Sequence, residues 1–311
     1  MREISNQLKM MVGPFIDYEH NPVLEPGSGF YSRGAYNPAV IKEGEIYFML
    51  YRAESTKEKL TGKIGLASSR DGFNFTPHPE PVLVPDREFD RFGCEDPRLV
   101  KIKDTFYLTY VGNPGKYETG NICLATSRDL FHWEKHGSIL RPQSKWDKGQ
   151  IKAGAILPEK INGKYFMYFM GEKEPWKTAI GIATSTDLLH WKELLDEPVV
   201  CPRKGYFDEK GVEPGPPPVF TEEGIWLIYS GWGKDHIYKA GAILFSRDDP
   251  SRIIERSDEP VLVPAKKWGK IFGEIPDHTV PEGLVIEKNR WLLYYGAADR
   301  VCCVALWEAK K

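Results

Sequence analysis

Five proline-rich segments, spread over most of the 311 residues, each carry polar side chains able to do chemistry. They are Tyr36-Asn-Pro-Ala39, Cys94-Glu-Asp-Pro-Arg98, Ile151-Lys-Ala-Gly-Ala-Ile-Leu-Pro158, Val212-Glu-Pro-Gly-Pro-Pro-Pro218 and Ile275-Pro-Asp-His-Thr-Val-Pro-Glu-Gly283. Their polar members are Asn37, Asp96, Lys152, Glu213 and, in the fifth, Glu282 or Asp277 beside His278. Carboxyl groups gathered in one polar funnel with a cation and an amide are the equipment of glycoside hydrolysis, where one acid protonates and another activates water. A single Asp-Pro pair merely shapes a loop, whereas polar groups at five related positions point to a site. Trp176, Trp232, Tyr238 and Trp268 fall between strand signals, where they stack on sugar faces or pack the fold.

Gathering such distant residues requires a closed arrangement, and an internal repeat supplies one. Each segment precedes an aromatic strand: Tyr47–Arg52, Tyr107–Gly112, Phe166–Gly171, Trp226–Gly231 and Trp291–Gly296. The closing residues lie 60, 59, 60 and 65 positions apart. A second element, Ser-x-Asp followed by an aromatic, recurs with Asp71, Asp129 and Asp187 at intervals of 58. It reads as an Asx-type turn, which makes His132 and His190 structural rather than catalytic. The fourth copy has diverged and the fifth is cut to Val301–Trp307, so residues near the N-terminus are expected to complete the last unit. Five strand-rich units of about 60 residues predict an all-β, five-bladed β-propeller over residues 1–311, with the polar segments as loops at the mouth of its central channel.

Composition agrees and excludes other classes. Aromatic residues are 13% of the chain, and 29 Gly and 24 Pro break it into short strands. The near balance of 42 basic and 44 acidic residues lacks the basic excess of a nucleic-acid partner. No apolar run approaches a membrane span, and Arg2, Glu3, Asn6 and Lys9 stand where a signal peptide needs its apolar stretch. Five cysteines without a CxxC pair read as reduced thiols in a cytoplasmic protein. His236 and His278 lack metal-ligand spacing, and two-carboxylate chemistry needs no cofactor.

The ordered set Tyr36–Ala39, Gly93–Arg98, Pro158–Tyr165, Gly215–Pro218 and Tyr294–Asp299 resembles glycoside hydrolase family 130 from about Asn21 to Glu308. The resemblance implies a five-bladed propeller acting on β-mannosides, by phosphorolysis in most members and hydrolysis in some. It implies Asp96 as the general acid, protonating the glycosidic oxygen through the mannose 3-hydroxyl, and therefore an Asp96 carboxyl raised above its ordinary range. Arg52 and Arg98 would hold the acids and the sugar; Asn37 and Asp299 would meet the sugar, with Asp277, His278 and Glu282 as further binding candidates.

Departures from the family decide the expected reaction. Where phosphorylases carry an arginine, a lysine and a histidine for phosphate, this chain reads Met170, Gly211 (or nearby Lys210) and Ser230. Lys152 remains, while Glu172, Glu213 and Glu282 bring negative charge that repels phosphate. The pattern is similar to the hydrolytic β-1,2-mannosidase branch. An inverting exo-hydrolase is therefore expected, with Glu213 as base, Glu172 as its partner or rival, and β-1,2 linkages ahead of β-1,4. An acid–base separation of roughly 6.5–9.5 Å would admit the water. The alternative is an inverting phosphorylase making mannose-1-phosphate, with inorganic phosphate as co-substrate. An arabinan-type furanosidase and a non-catalytic sugar-binding propeller stand behind these; a homo-oligomer is compatible with any of them.

Overall fold

The computed structural model describes residues 12–57, 62–115, 120–264 and 278–309; Asp277 and Trp268 lie outside them. Within them, five antiparallel sheets follow one another along the chain, with a short 3-10 turn at Gly29–Tyr31 as the only helical element among the described residues. In blade 1 the order from the inside outward is Gly34–Glu43, Ile46–Glu54, Lys63–Ser69 and Thr76–Pro77. Blades 2 and 3 repeat it from Gly93–Ile102 and from Ile151–Ile161. In blade 4 the Pro-rich stretch splits the inner strand, so that Gly211–Pro214 and Val219–Phe220 both pair with Ile225–Trp232. Proline donates no ladder hydrogen bond, which accounts for the gap.

Blade 5 is finished by the start of the chain. Its strands Thr279–Glu287, Arg290–Ala297 and Val301–Glu308 are joined by Ile16–Asp17, with Ile16 opposite Leu306 and Asp17 opposite Ala305. Asn21 extends the closure with its side chain: Nδ2 donates to the Val304 carbonyl at 2.8 Å and Oδ1 accepts from the Val304 N–H at 2.9 Å. Asn21→Ala would strand two buried backbone groups, each costing about 1–3 kcal/mol. We expect a loss of about 2–4 kcal/mol, read as a lower urea midpoint at unchanged m.

The hydrophobic core is five separate clusters, each lying between neighbouring blades. Trp226, Ile228 and Leu244 of blade 4 meet Trp291, Leu293 and Tyr295 of blade 5; Tyr47, Met49 and Tyr51 of blade 1 meet Leu292, Tyr294 and Val304. Each aromatic strand therefore buries both of its faces, which is why it reads as a near-continuous apolar run. The Ser-x-Asp turns behave as their sequence predicts. Asp129 accepts the N–H groups of Phe131 and His132 at 2.9 and 2.8 Å and pairs with His132 Nδ1 at 2.8 Å. Asp187 does the same with Leu189 and His190.

One expectation is corrected. The polar segments are not loops but the innermost strands themselves, split in blade 4 and kinked by a β-bulge in the other four. Register slips between Tyr36 and Ala39, between Glu95 and Arg98, between Lys152 and Ala155, and between Pro281 and Gly283. Asn37 and Asp96 sit in the bulges at φ 52° and 51°, each just before a proline. A bulge tolerates the missing N–H and re-aims a side chain. Asn37 passes so close to Gly296 that a Cβ there would fall 2.9 Å from the Asn37 backbone nitrogen and 2.6 Å from its Oδ1, so this position admits only glycine.

Candidate active site

The bulged ends of the inner strands surround a cavity of about 220 Å³ lined by Arg52, Glu95, Asp96, Lys152, Glu172 and Glu213, with Gln150, Met170, Thr178 and Trp176 completing much of the wall. Asp96 is buried and firmly held: Asn37 Nδ2 donates to its Oδ1 at 2.7 Å and Arg52 at 3.0 Å. Burial alone would raise its carboxyl, but Arg52, then Lys152 and Arg98, overcome that and hold it down at about 2. This corrects the expectation of a raised carboxyl: in the free protein Asp96 is a carboxylate.

Arg52 is shared among three acids, reaching Glu54 at 2.9 Å, Glu95 at 3.3 Å and Asp96 at 3.0 Å. Glu54 and Glu95 escaped the sequence reading, although Glu95 stands inside the Glu-Asp-Pro-Arg motif. Strand alternation puts Glu54 two residues from Arg52 on the same face, and that was the available signal. Burial raises Glu95, with Arg52 opposing.

Glu213 is 2% exposed and lies between two cations, Lys152 at 3.2 Å and Arg98 at 3.4 Å. Arg98 does not line the cavity, contrary to its assignment to the sugar. It is buried behind the wall and donates to the backbone carbonyls of Asp96, Pro214 and Gly215 at 3.2, 2.9 and 2.9 Å. Its remaining partner is Glu282, at 3.2 Å. Glu282 is fully enclosed, and burial pushes its carboxyl well above the usual range. It belongs instead to a second cavity of about 310 Å³ at the far ends of the inner strands, so it does not meet a sugar in the first.

Glu172 faces the first cavity, with one oxygen committed to the N–H of Trp176 at 2.8 Å. Asp299 lies in the turn after the Arg290–Ala297 strand, where burial, partly opposed by Arg52 and reinforced by Asp96, raises it to about 6. Trp176 is 53% exposed at the rim, whereas Trp232 is buried and stacked at 4.4 Å on Tyr238, which in turn stacks on His278 at 5.0 Å. Among the aromatic candidates within the described residues, Trp176 is thus the most exposed, with only an edge contact to His236 at 5.9 Å, while Trp232 and Tyr238 line the wall and His278 backs Tyr238. No three His, Cys, Asp or Glu side chains gather as a metal site among the described residues. No described helix is long and apolar enough to cross a membrane.

Four carboxylates (Glu95, Asp96, Glu172, Glu213) and two cations (Arg52, Lys152) therefore face the cavity among the described residues. Such a site can donate a proton, accept one, and hold a neutral polyhydroxy ligand. The family model for glycoside hydrolase family 130, described as β-1,4-mannooligosaccharide phosphorylase, matches residues 3–311. A 1,2-β-oligomannan phosphorylase of Thermoanaerobacter sp. (strain X514) is 34% identical, over 93% of this chain and 95% of its own. A β-1,2-mannobiose phosphorylase of the same organism is 33% identical, over 94% and 96%. A solved structure, described with glycoside hydrolases of family GH130 that target β-1,2 mannosidic linkages in Candida mannan, superimposes with TM-score 0.85 at 31% identity, over 96% and 95%.

Proposed function

Because the chain belongs to glycoside hydrolase family 130, we propose that it cleaves β-mannosides, β-1,2-linked ones foremost, by an inverting attack of water. The observation behind water is the charge that the described residues bring to the cavity, four carboxylates against two cations that are already paired. A phosphate carrying one to two negative charges would enter against that field and would have to break the pairing of Lys152 with Glu213. Water has no such cost. Asp96 supplies the proton to the leaving oxygen, relayed through the mannose 3-hydroxyl. Glu213, oriented by Lys152 and Arg98, takes the proton from the attacking water. Glu172 stands on the same wall, and Asn37 and Arg52 fix the orientation of Asp96.

Phosphorolysis is the second reading. It is favoured by the names of the two Thermoanaerobacter relatives and by the retained Lys152. The test is to incubate β-1,2-mannobiose with and without inorganic phosphate and to separate mannose from mannose-1-phosphate. Water as nucleophile predicts free mannose at equal rates in both buffers. Mannose-1-phosphate formed only with phosphate would reverse the assignment, and Lys152→Ala should then raise the phosphate requirement at least about tenfold, the worth of one charge-assisted contact.

A further inference from the structure

Away from the cavity, three blades bury an aspartate at the same repeat position, directly after an aromatic: Phe89-Asp90, Trp146-Asp147 and Phe207-Asp208. All three aspartates are fully enclosed. In blade 2, Asp90 Oδ2 receives the Tyr110 hydroxyl at 3.0 Å and Lys135 Nζ at 2.5 Å. Blade 4 repeats the pattern, with Asp208 Oδ2 receiving the Tyr229 hydroxyl at 2.6 Å and Arg256 at 2.6 Å, and Arg203 adding a third contact at 3.1 Å.

Blade 3 has lost both donors. The position of Tyr110 and Tyr229 is Phe169, which has no hydroxyl. Strand register equates Lys135 (opposite Ala125) and Arg256 (opposite Ile243) with Glu193, opposite Ala183. A carboxylate thus stands where the other blades place a cation. Asp147 Oδ1 accepts the Ser144 N–H at 2.9 Å, but Oδ2 is buried without a hydrogen-bond partner. Glu193 comes within hydrogen-bonding reach of Asp147 and accepts the Ser144 hydroxyl at 2.6 Å and the Gln143 N–H at 3.1 Å. Two carboxylates facing each other, one of them wholly desolvated, need a positive charge or a shared proton between them.

We propose that blade 3 holds a hard divalent cation, calcium by its all-oxygen donor set, between Asp147 and Glu193, in the place of the lysine and arginine of blades 2 and 4. Asp147 Oδ2 and the Glu193 carboxylate ligate it, the Ser144 hydroxyl lies beside it, and water fills the rest of the shell. The site is structural: it ties the segment before the inner strand of blade 3 to the outer strand of the same blade, as the ion pairs do in the other two.

The experiment is a thermal melt of the chelator-treated, dialysed protein with increasing calcium chloride. Alongside it, terbium is titrated with excitation of tryptophan, since Trp146 adjoins the site. Calcium at millimolar concentration should raise Tm by about 2–4 °C, and terbium should give sensitised emission that calcium displaces. Glu193→Lys should melt without calcium at least as high as the untreated protein and ignore added calcium. Glu193→Gln should lose the terbium signal. A Tm indifferent to calcium, with no sensitised emission, overturns the proposal. If that Tm also falls as pH rises towards about 7, the value to which burial raises Glu193, the positive charge is a shared proton instead.

Discussion

Asp96→Asn should lower kcat on a β-mannoside by about 10²–10⁴-fold, the range of a positioned general acid, while lowering the melting temperature through loss of the charge that Arg52 and Lys152 oppose. Asparagine keeps the volume and still offers an oxygen to Asn37 and Arg52, whose contacts at 2.7 and 3.0 Å fix the residue. The proton is what it loses. In the free protein the Asp96 carboxyl is held at about 2 against the effect of burial, by Arg52 and then Lys152. Its depressed range adds stability that is present above the ordinary carboxylate range and lost as pH falls through about 2. Catalysis at neutral pH therefore requires the bound sugar to raise Asp96. The acid group seen in the pH profile of kcat should lie well above the one seen in kcat/KM, since the first reports the complex and the second the free enzyme. Unchanged turnover in Asp96→Asn would remove the acid role; Asp299, raised to about 6 by burial, is then the carboxyl to replace next.

Glu213→Gln should be nearly as damaging, with a fall in turnover of about 10²–10⁴-fold from loss of the base. The amide preserves the shape but removes the charge that faces Lys152 and Arg98 at 3.2 and 3.4 Å. The cavity then carries one carboxylate fewer, so small anions should bind where water is activated. In Glu213→Ala, which also makes room, azide should restore part of the activity and yield the α-mannosyl azide from a β-mannoside. That product reports both the site of attack and inversion. If Glu213→Gln retains most of its turnover while Glu172→Gln loses it, the base is Glu172.

Much of this was legible in the sequence because the repeat was. Strand, turn and closure signals recur at nearly constant spacing, and a ring is the arrangement that lets five such units bury both faces of their middle strands. Asn37, Asp96, Lys152 and Glu213 were found because each holds the same place in its unit. The bulges were not legible: proline speaks against a strand, and only the pairing register reveals a strand that tolerates it. Arg98 and Glu282 read as sugar ligands because their place in the repeat gives their neighbourhood but not which way a bulge turns them. Asp90, Asp147 and Asp208 were visible as an aromatic-Asp pair at 57 and 61 residues, yet their meaning needed the donors opposite them. The charge state of Asp96 depends on three cations from two other segments and its own, a sum over distances that spacing along a chain does not contain.

The strand at Ile16–Asp17 pairs with Val301–Glu308, so early and late residues of the chain share one sheet. During translation four blades can form before that partner leaves the ribosome, but the ring stays open until it does. Asn37 from blade 1 and Gly296 from blade 5 must come into contact for the acid to be seated, and they are made far apart in time. A nascent chain that has not reached Arg290 can already form the three apolar clusters among blades 1 to 4, yet it lacks Gly296 and with it the contact that seats Asn37. Mannoside turnover therefore reports that synthesis has run past Gly296.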